Sequence, residues 1–505
     1  MTTLAAMPHR DKRPSLATLL RGDALPLAVL ALLVLATRAI WWGDPVADFD
    51  EQLYSFIGWR MSDGELPFID WWDRKPFGLF AIFGASHALF GPGPLAYQAI
   101  AGLFAFAAAW LTYRLARQLA DRVTATFAAA IQTMLLCAYG SYSGQSETFF
   151  LPLMLGMAAL LMNADHPRFT RRAMWAMALG GVALQIKYTV LPQCLFFGLY
   201  ALWIEGRRGA SPKRIIRLGI LFGLLGLVPT IAVGLFYALI GHFDAFLFAN
   251  FLSFFDRLPA PQGRWASTHW IGVTPIAVLA IGGFYAAVRM RRPANFAAWL
   301  FFVGWFAASL ATVLLPGTVY LYYYAAMSAP AALVALPLLD RTGPLKFAPA
   351  AMLAAGFLAL LSLPGRYEYS LTERDAADRL AASIAPHVNA QSDCLWLWDG
   401  PTSLYRMTNS CVPTRFVYPD HLNNALETDA LGVSQVGEVA RVLATRPAAI
   451  VTASRPMTLQ NAEATALVEA ALDAEYVQHT TVEMHDRTLT AWIRRDQGVS
   501  ATTTR

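Results

Sequence analysis

The sequence predicts a polytopic α-helical membrane protein, with about eleven transmembrane helices and a C-terminal α/β domain on the periplasmic side. Three observations carry this expectation. Of the 505 residues, 56% are hydrophobic and only 14% charged, against about a quarter charged in an ordinary soluble domain. Apolar runs recur from residue 24 to residue 364. Charge is also divided along the chain: residues 366–505 hold 12 Lys and Arg against 17 Asp and Glu, whereas the residues before them hold 27 against 17. A cytosolic enzyme is thereby excluded. So is a disordered chain, because 31 Phe, 15 Trp and 18 Tyr would collapse or enter lipid.

Crossing about 30 Å of hydrocarbon takes roughly 20 mostly apolar residues in a helix. By that measure the spans lie near 24–42, 94–113, 123–140, 148–163, 174–190, 191–205, 217–240, 269–288, 295–315, 320–338 and 347–364. Residues 1–23 are expected to be a cytoplasmic segment, 24–365 the transmembrane domain and 366–505 the periplasmic domain. Within 174–205, Pro192 either turns the chain between two spans or kinks a single one.

Charge placement decides for the turn. Alternate loops hold twenty Lys and Arg, among them Arg114, Arg117, Arg171, Arg172, Arg207 and Arg208, whereas the opposite loops hold six. Cytoplasmic loops carry the positive excess, which puts the N-terminus inside and the C-terminal domain outside. An odd number of spans agrees with this. The expected location is a bacterial inner membrane. The first apolar run has no small-residue cleavage site after it and is expected to remain as a span. The basic excess follows from orientation and signals no nucleic-acid partner.

Beyond Arg366 the pattern changes. Helices are expected over 372–388, 434–445 and 461–474, with strands at 394–398, 448–452, 475–483 and 487–494. Alternation of this kind suggests a small α/β domain, read as a lid or acceptor-docking surface because no phosphate loop, metal-spaced set or nucleophile elbow appears in it. Cys394 and Cys411 fall in this exported part, where an oxidising compartment favours a disulfide between them; two separate thiols are the alternative. Cys137 and Cys194 fall in spans and read as small hydrophobes.

The first outer loop, about 43–93, is long for so apolar a protein. It holds Asp48-Phe-Asp-Glu51, Tyr54 and Asp70-Trp-Trp-Asp-Arg-Lys-Pro76. Carboxylates beside lipid are costly and mark function, and tryptophans favour the interface. Carboxylates next to Lys and Arg at this depth suit transfer from a lipid-linked phosphate. Cationic donors stabilise the phosphate's developing charge, and a carboxylate takes the acceptor's proton.

Asp-Glu after the first span, with a Lys-Pro pair late in the first outer loop, resembles the GT-C superfamily of integral-membrane glycosyltransferases. The protein O-mannosyltransferases and lipid A aminoarabinose transferases belong to it. Ser146-Glu147 at the start of the fourth span, Gly180-Gly-Val-Ala-Leu-Gln-Ile-Lys187 and Tyr322-Tyr-Tyr-Ala-Ala-Met-Ser-Ala-Pro330 fit the same pattern. The resemblance implies an inverting transferase using a polyprenyl-phosphate sugar donor. Asp50 is then the general base with Glu51 its partner, and Lys75, assisted by Arg74, binds the donor phosphate. Tyr54, Glu147, Lys187 and Tyr323 become candidates for substrate or acceptor binding. Two positions depart from the family: Leu53 stands where the aminoarabinose transferases carry Arg, and Tyr323 replaces a His. No cofactor is implied, although Asp48 and Asp50 leave a divalent ion open.

Sugar and acceptor (lipid, glycan or protein) stay open. A transporter or flippase of lipid-linked glycans is one rival, although transporters keep ionisable groups near the midplane. A non-catalytic membrane scaffold is the other.

Overall fold

A computed structural model describes residues 22–258, 267–316 and 319–498. The expected cytoplasmic segment 1–23 lies outside these except for its last two residues. The helices in order are α1 (Ala24–Arg38), α2 (Phe49–Met61), α3 (Phe77–Phe90), α4 (Pro94–Ala116), α5 (Arg122–Ala138), α6 (Ser146–Leu161) and α7 (Phe169–Leu184). They continue with α8 (Leu191–Arg207), α9 (Pro212–Leu239), α10 (Ser267–Tyr285), α11 (Phe296–Leu314), α12 (Ser328–Val334), α13 (Ala348–Leu360) and α14 (Leu363–Ile384).

Among the described residues, five helical stretches are both long and apolar enough to cross a membrane: Ala24–Trp41, Pro94–Ala116, Pro212–Leu239, Gly272–Met290 and Phe296–Leu314. The other expected spans are occupied by shorter or interrupted helices. The chain breaks between α7 and α8 at a short 3-10 turn, Tyr188–Val190, and Pro192 sits in the first turn of α8. There its missing N–H costs no helical bond. α9 exposes Ile220, Leu224, Leu227, Ile231, Leu235 and Leu239, a stripe at helical spacing that water would not tolerate and lipid does.

The segment 43–93 is largely helical rather than a loop. Asp48 starts α2 by accepting the backbone N–H groups of Asp50 and Glu51, satisfying two donors that the helix leaves unpaired. Pro76 and Gly91 bound α3. α2 and α3 approach so closely that a Cβ on Gly58 would lie 2.7 Å from the backbone nitrogen of Gly84. Only glycine fits there.

The C-terminal part is built on a mixed four-stranded sheet of order β1-β2-β4-β3, formed by β1 (Leu395–Leu397), β2 (Ala449–Ala453), β3 (Tyr476–Met484) and β4 (Arg487–Arg494). β1 and β2 are parallel, with Leu395 opposite Ala449. β4 is antiparallel to both its neighbours. The β3–β4 hairpin turns on His485 and Asp486, both at positive φ, as a tight two-residue hairpin demands. Helices α15 (Gln435–Ala444) and α16 (Ala462–Glu475) accompany the sheet. α14 runs unbroken through residue 366 and leads from the last expected span into the C-terminal part. Cys394 and Cys411 are joined in a disulfide with Cα atoms 4.6 Å apart.

The first outer segment is sewn into this C-terminal part. Trp72 packs in a cluster with Trp396, Trp398, Phe416 and Leu422, and its backbone N–H donates to the Arg415 carbonyl at 3.1 Å. The segment between α2 and α3 is thereby held against the C-terminal part.

Candidate active site

The site is built on the first turn of α2, where a helix N-terminus favours negative charge. Asp50 is half-buried. Its Oδ2 accepts from Tyr54 Oη at 3.3 Å and from Gln145 Nε2 at 3.2 Å. Its Oδ1 accepts from Tyr418 Oη at 3.4 Å. These are long bonds from neutral donors, so the carboxylate keeps capacity for another proton donor. Gln145 also reaches Asp48 Oδ1 at 3.0 Å, tying the start of α2 to the start of α6.

Glu51 faces the opposite way. It is fully buried, with Oε1 accepting from Tyr97 Oη at 3.1 Å and Gln98 Nε2 at 3.3 Å. The Gly144 N–H donates to Oε2, and a Cβ on Gly144 would lie 2.9 Å from that oxygen. Glu51 therefore fastens α2 to α4 and to the turn before α6. Expected beside Asp50 in the chemistry, Glu51 is turned away from it into the helix packing, because neighbours on a helix point in different directions. Burial pushes its carboxyl up to about 7. Asp48 is raised well above the usual range by burial, and then by the charges of Asp50 and Glu51.

The cations lie on the other side of Tyr54. Lys75 Nζ sits 5.4 Å from the centre of the Tyr54 ring, and among the described residues it makes no ion pair. Asp73 accepts the Lys75 backbone N–H at 2.7 Å. Burial would raise the Asp73 carboxyl, but the Lys75 charge and the neighbouring His421 hold it far below the usual range. Arg74 is committed elsewhere, forking onto both oxygens of Glu427. Arg257 Nε meets the same carboxylate at 2.6 Å. Two guanidiniums thus share one carboxylate. The Arg74 side chain is turned to Glu427 rather than to an open phosphate position.

Glu147 and Lys187, expected to bind acceptor separately, are paired with each other and buried. Lys187 Nζ lies 4.4 Å from the Tyr323 ring centre and 5.3 Å from that of Tyr322, so the tyrosine segment covers this pair by cation–π contact. Asp48, Asp50, Lys75, Arg74, Tyr54, Glu147, Lys187 and Tyr323 are thus gathered around one region. Gln145, Arg257, Tyr418 and Glu427 join them without having been expected. Arg257 alone left a trace in the sequence, as one of the few basic residues in the outer loops. Among the described residues, no group of three or more His, Cys, Asp or Glu is placed to hold a metal ion.

Residues 74–232 match the dolichyl-phosphate-mannose-protein mannosyltransferase family, a stretch that includes Lys75, Gln145, Glu147 and Lys187 but begins after Asp50. No curated protein matches the sequence. Among solved structures, ArnT from Cupriavidus metallidurans bound to undecaprenyl phosphate has 15% identity and a TM-score of 0.59, over 92% of this chain and 97% of that one. The same protein in the apo state gives 15% and 0.61, over 94% and 98%. At that identity the likeness is one of fold. In the sequence of residues 74–232 and in the fold of nearly its whole length, the chain is similar to the integral-membrane glycosyltransferases of the GT-C superfamily.

Proposed function

We propose that this protein is a polyprenyl-phosphate-sugar-dependent glycosyltransferase that acts, with inversion, on the periplasmic side of a bacterial inner membrane. The observation that carries the reading is the arrangement around Tyr54. Its hydroxyl holds Asp50 at 3.3 Å while its ring faces the Lys75 ammonium at 5.4 Å. A base and an unpaired cation are thus set on two sides of one small region, as attack and departure on opposite faces of a sugar require. That ArnT was solved with undecaprenyl phosphate bound supports a donor of the same class here.

In this reading the acceptor O–H gives its proton to Asp50 as its oxygen bonds to the anomeric carbon. The bond from that carbon to the phosphate oxygen breaks, and its electron pair leaves with the phosphate. Lys75 stabilises the charge that develops there. Asp48 Oδ1 is committed to two backbone N–H groups and Gln145, and no step is routed through a metal ion. Eleven spans, a cytoplasmic N-terminus and a periplasmic 366–505 domain complete the proposal.

The test compares wild type with Asp50→Asn in nanodiscs, offered a panel of polyprenyl-phosphate sugars with a membrane extract as acceptor. Donor loss and acceptor gain are followed by mass spectrometry. The expected result is donor consumption by wild type and a loss of about a hundredfold or more in the variant. Equal rates would remove Asp50 as base. A folded wild type that consumes no donor would favour the transporter or scaffold readings.

A further inference from the structure

Next to the Asp50 region is a second concavity of about 140 Å³. A single water needs roughly 10–15 Å³, and a cavity of about 150 Å³ accepts one benzene ring. The space therefore suits one six-membered ring. Its walls come from five places: the end of the first span with the residues after it, the start of α2, Tyr142 in the turn before α6, the first half of α14 and the β3–β4 turn. Trp41 stacks on Tyr142 with ring centres 4.4 Å apart, and Phe49 lies against His485 at 4.9 Å. Flat aromatic walls of this kind suit the C–H faces of a sugar.

The polar side of the cavity is made of acceptors. Glu373 takes the His485 backbone N–H at 3.0 Å, and Asp44 takes Ser370 Oγ at 2.6 Å. Among the described residues, Arg374 lies 3.8 Å from the Asp44 carboxylate, and no Lys or Arg pairs with Glu373 or Asp48. Asp48 accepts through Oδ1 from the Asp50 and Glu51 N–H groups and from Gln145, leaving Oδ2 to accept from a ligand. His485 Nε2 is buried without a partner among the described residues, and burial holds that ring down to about 4, hence neutral. An anion is disfavoured here, and a ligand rich in hydroxyl or amino donors is favoured. Asp48, on the cavity wall, shares Gln145 with Asp50, so the cavity lies one hydrogen-bonded side chain away from Asp50.

We infer that this cavity is the acceptor subsite and takes the ring of a carbohydrate, presenting one hydroxyl toward Asp50. This rests on the transfer reading above. The test uses saturation-transfer NMR on the full chain in nanodiscs, with methyl β-D-glucopyranoside and D-glucosamine as probes. Wild type is compared with Glu373→Gln, which still accepts the His485 N–H, and with Tyr369→Ala on the rim, which is 41% exposed. Melting temperature serves as the check on folding. Saturation of a sugar by wild type, with affinity lower by about tenfold in Glu373→Gln, supports the subsite. A larger loss for glucosamine than for the glucoside assigns it to amino sugars, and an equal loss to neutral ones. No saturation of either sugar, or equal binding by all three proteins, overturns it. Sugar binding without consumption of any donor would overturn the transfer reading instead, while donor consumption without sugar binding would overturn this inference alone.

Discussion

Asp50 and Glu51 are adjacent, yet one faces an open region and the other is sealed between helices. Their consequences differ accordingly. The Glu51 carboxyl, near 4.5 in a free glutamate, is raised by burial to about 7. Between those values the folded chain holds a proton that the unfolded chain has lost, so this group's share of stability falls as pH rises from about 4.5 to about 7. Melting followed by tryptophan fluorescence at pH 5, 6, 7 and 8 is expected to show that fall in wild type and a flatter profile in Glu51→Gln. Equal slopes would mean that Glu51 stays ionised throughout. For Lys75, replacement by Met keeps the apolar stem beside Tyr54 and removes the charge. Donor KM is expected to rise about tenfold or more, the scale of one charge-assisted bond, and an unchanged KM would leave donor binding to other cations.

At the scale of elements, Glu427 ties the C-terminal part to the outer segment of the membrane domain. Its carboxylate, 4% exposed, meets Arg74 and Arg257, which are 19% and 23% exposed. Burial opposes ionisation, but the bond and charge of Arg74, and then the charge of Arg257, hold the carboxyl below its ordinary value. Removing a buried partner strands the opposite charges. With the guanidiniums partly wet, Glu427→Ala is expected to cost about 2 kcal/mol, read as a lower midpoint in denaturant. Loss of the 43–93 contacts should then raise protease sensitivity around residues 62–73, and an unaltered digestion pattern would show that Trp72 alone suffices. The helices of that segment also explain why 43–93 was read as a loop. α3 has only 14 residues, too few for a span, and α2 carries no apolar face that a sequence pattern would reveal.

At the scale of the whole molecule, the disulfide closes a loop with a sequence separation of 17 beside the edge strand β1, in the same C-terminal part as the connection from β1 to β2 that carries Tyr418 and Glu427. A loop of about that length is worth roughly 3 kcal/mol in the unfolded chain. Cys394→Ser with Cys411→Ser is expected to lower the melting temperature of the C-terminal part, with a smaller effect on the membrane helices. A change shared equally by both, seen by hydrogen exchange, would mean that they unfold as one unit.

The membrane character, the positions of the five long apolar helices and the Asp-Phe-Asp-Glu turn with its Lys-Pro pair were legible in the sequence. Each is local: an apolar run, a proline or a cap acts on residues within a few turns of itself. What Asp50 touches was not legible. Tyr418 lies 368 residues further along the chain and reaches it only when the C-terminal part packs against the outer segment. Glu427 meets Arg74 across 353 residues. Glu147 and Lys187 were legible as charges but not as a pair, since pairing depends on how α6 and α7 pack. Composition and periodicity determined that the chain enters the membrane, and the motifs of the outer segment marked the candidate groups in sequence. Which of those groups stay available and which neutralise one another was decided by tertiary packing, because burial and charge pairing depend on distances that no local pattern encodes.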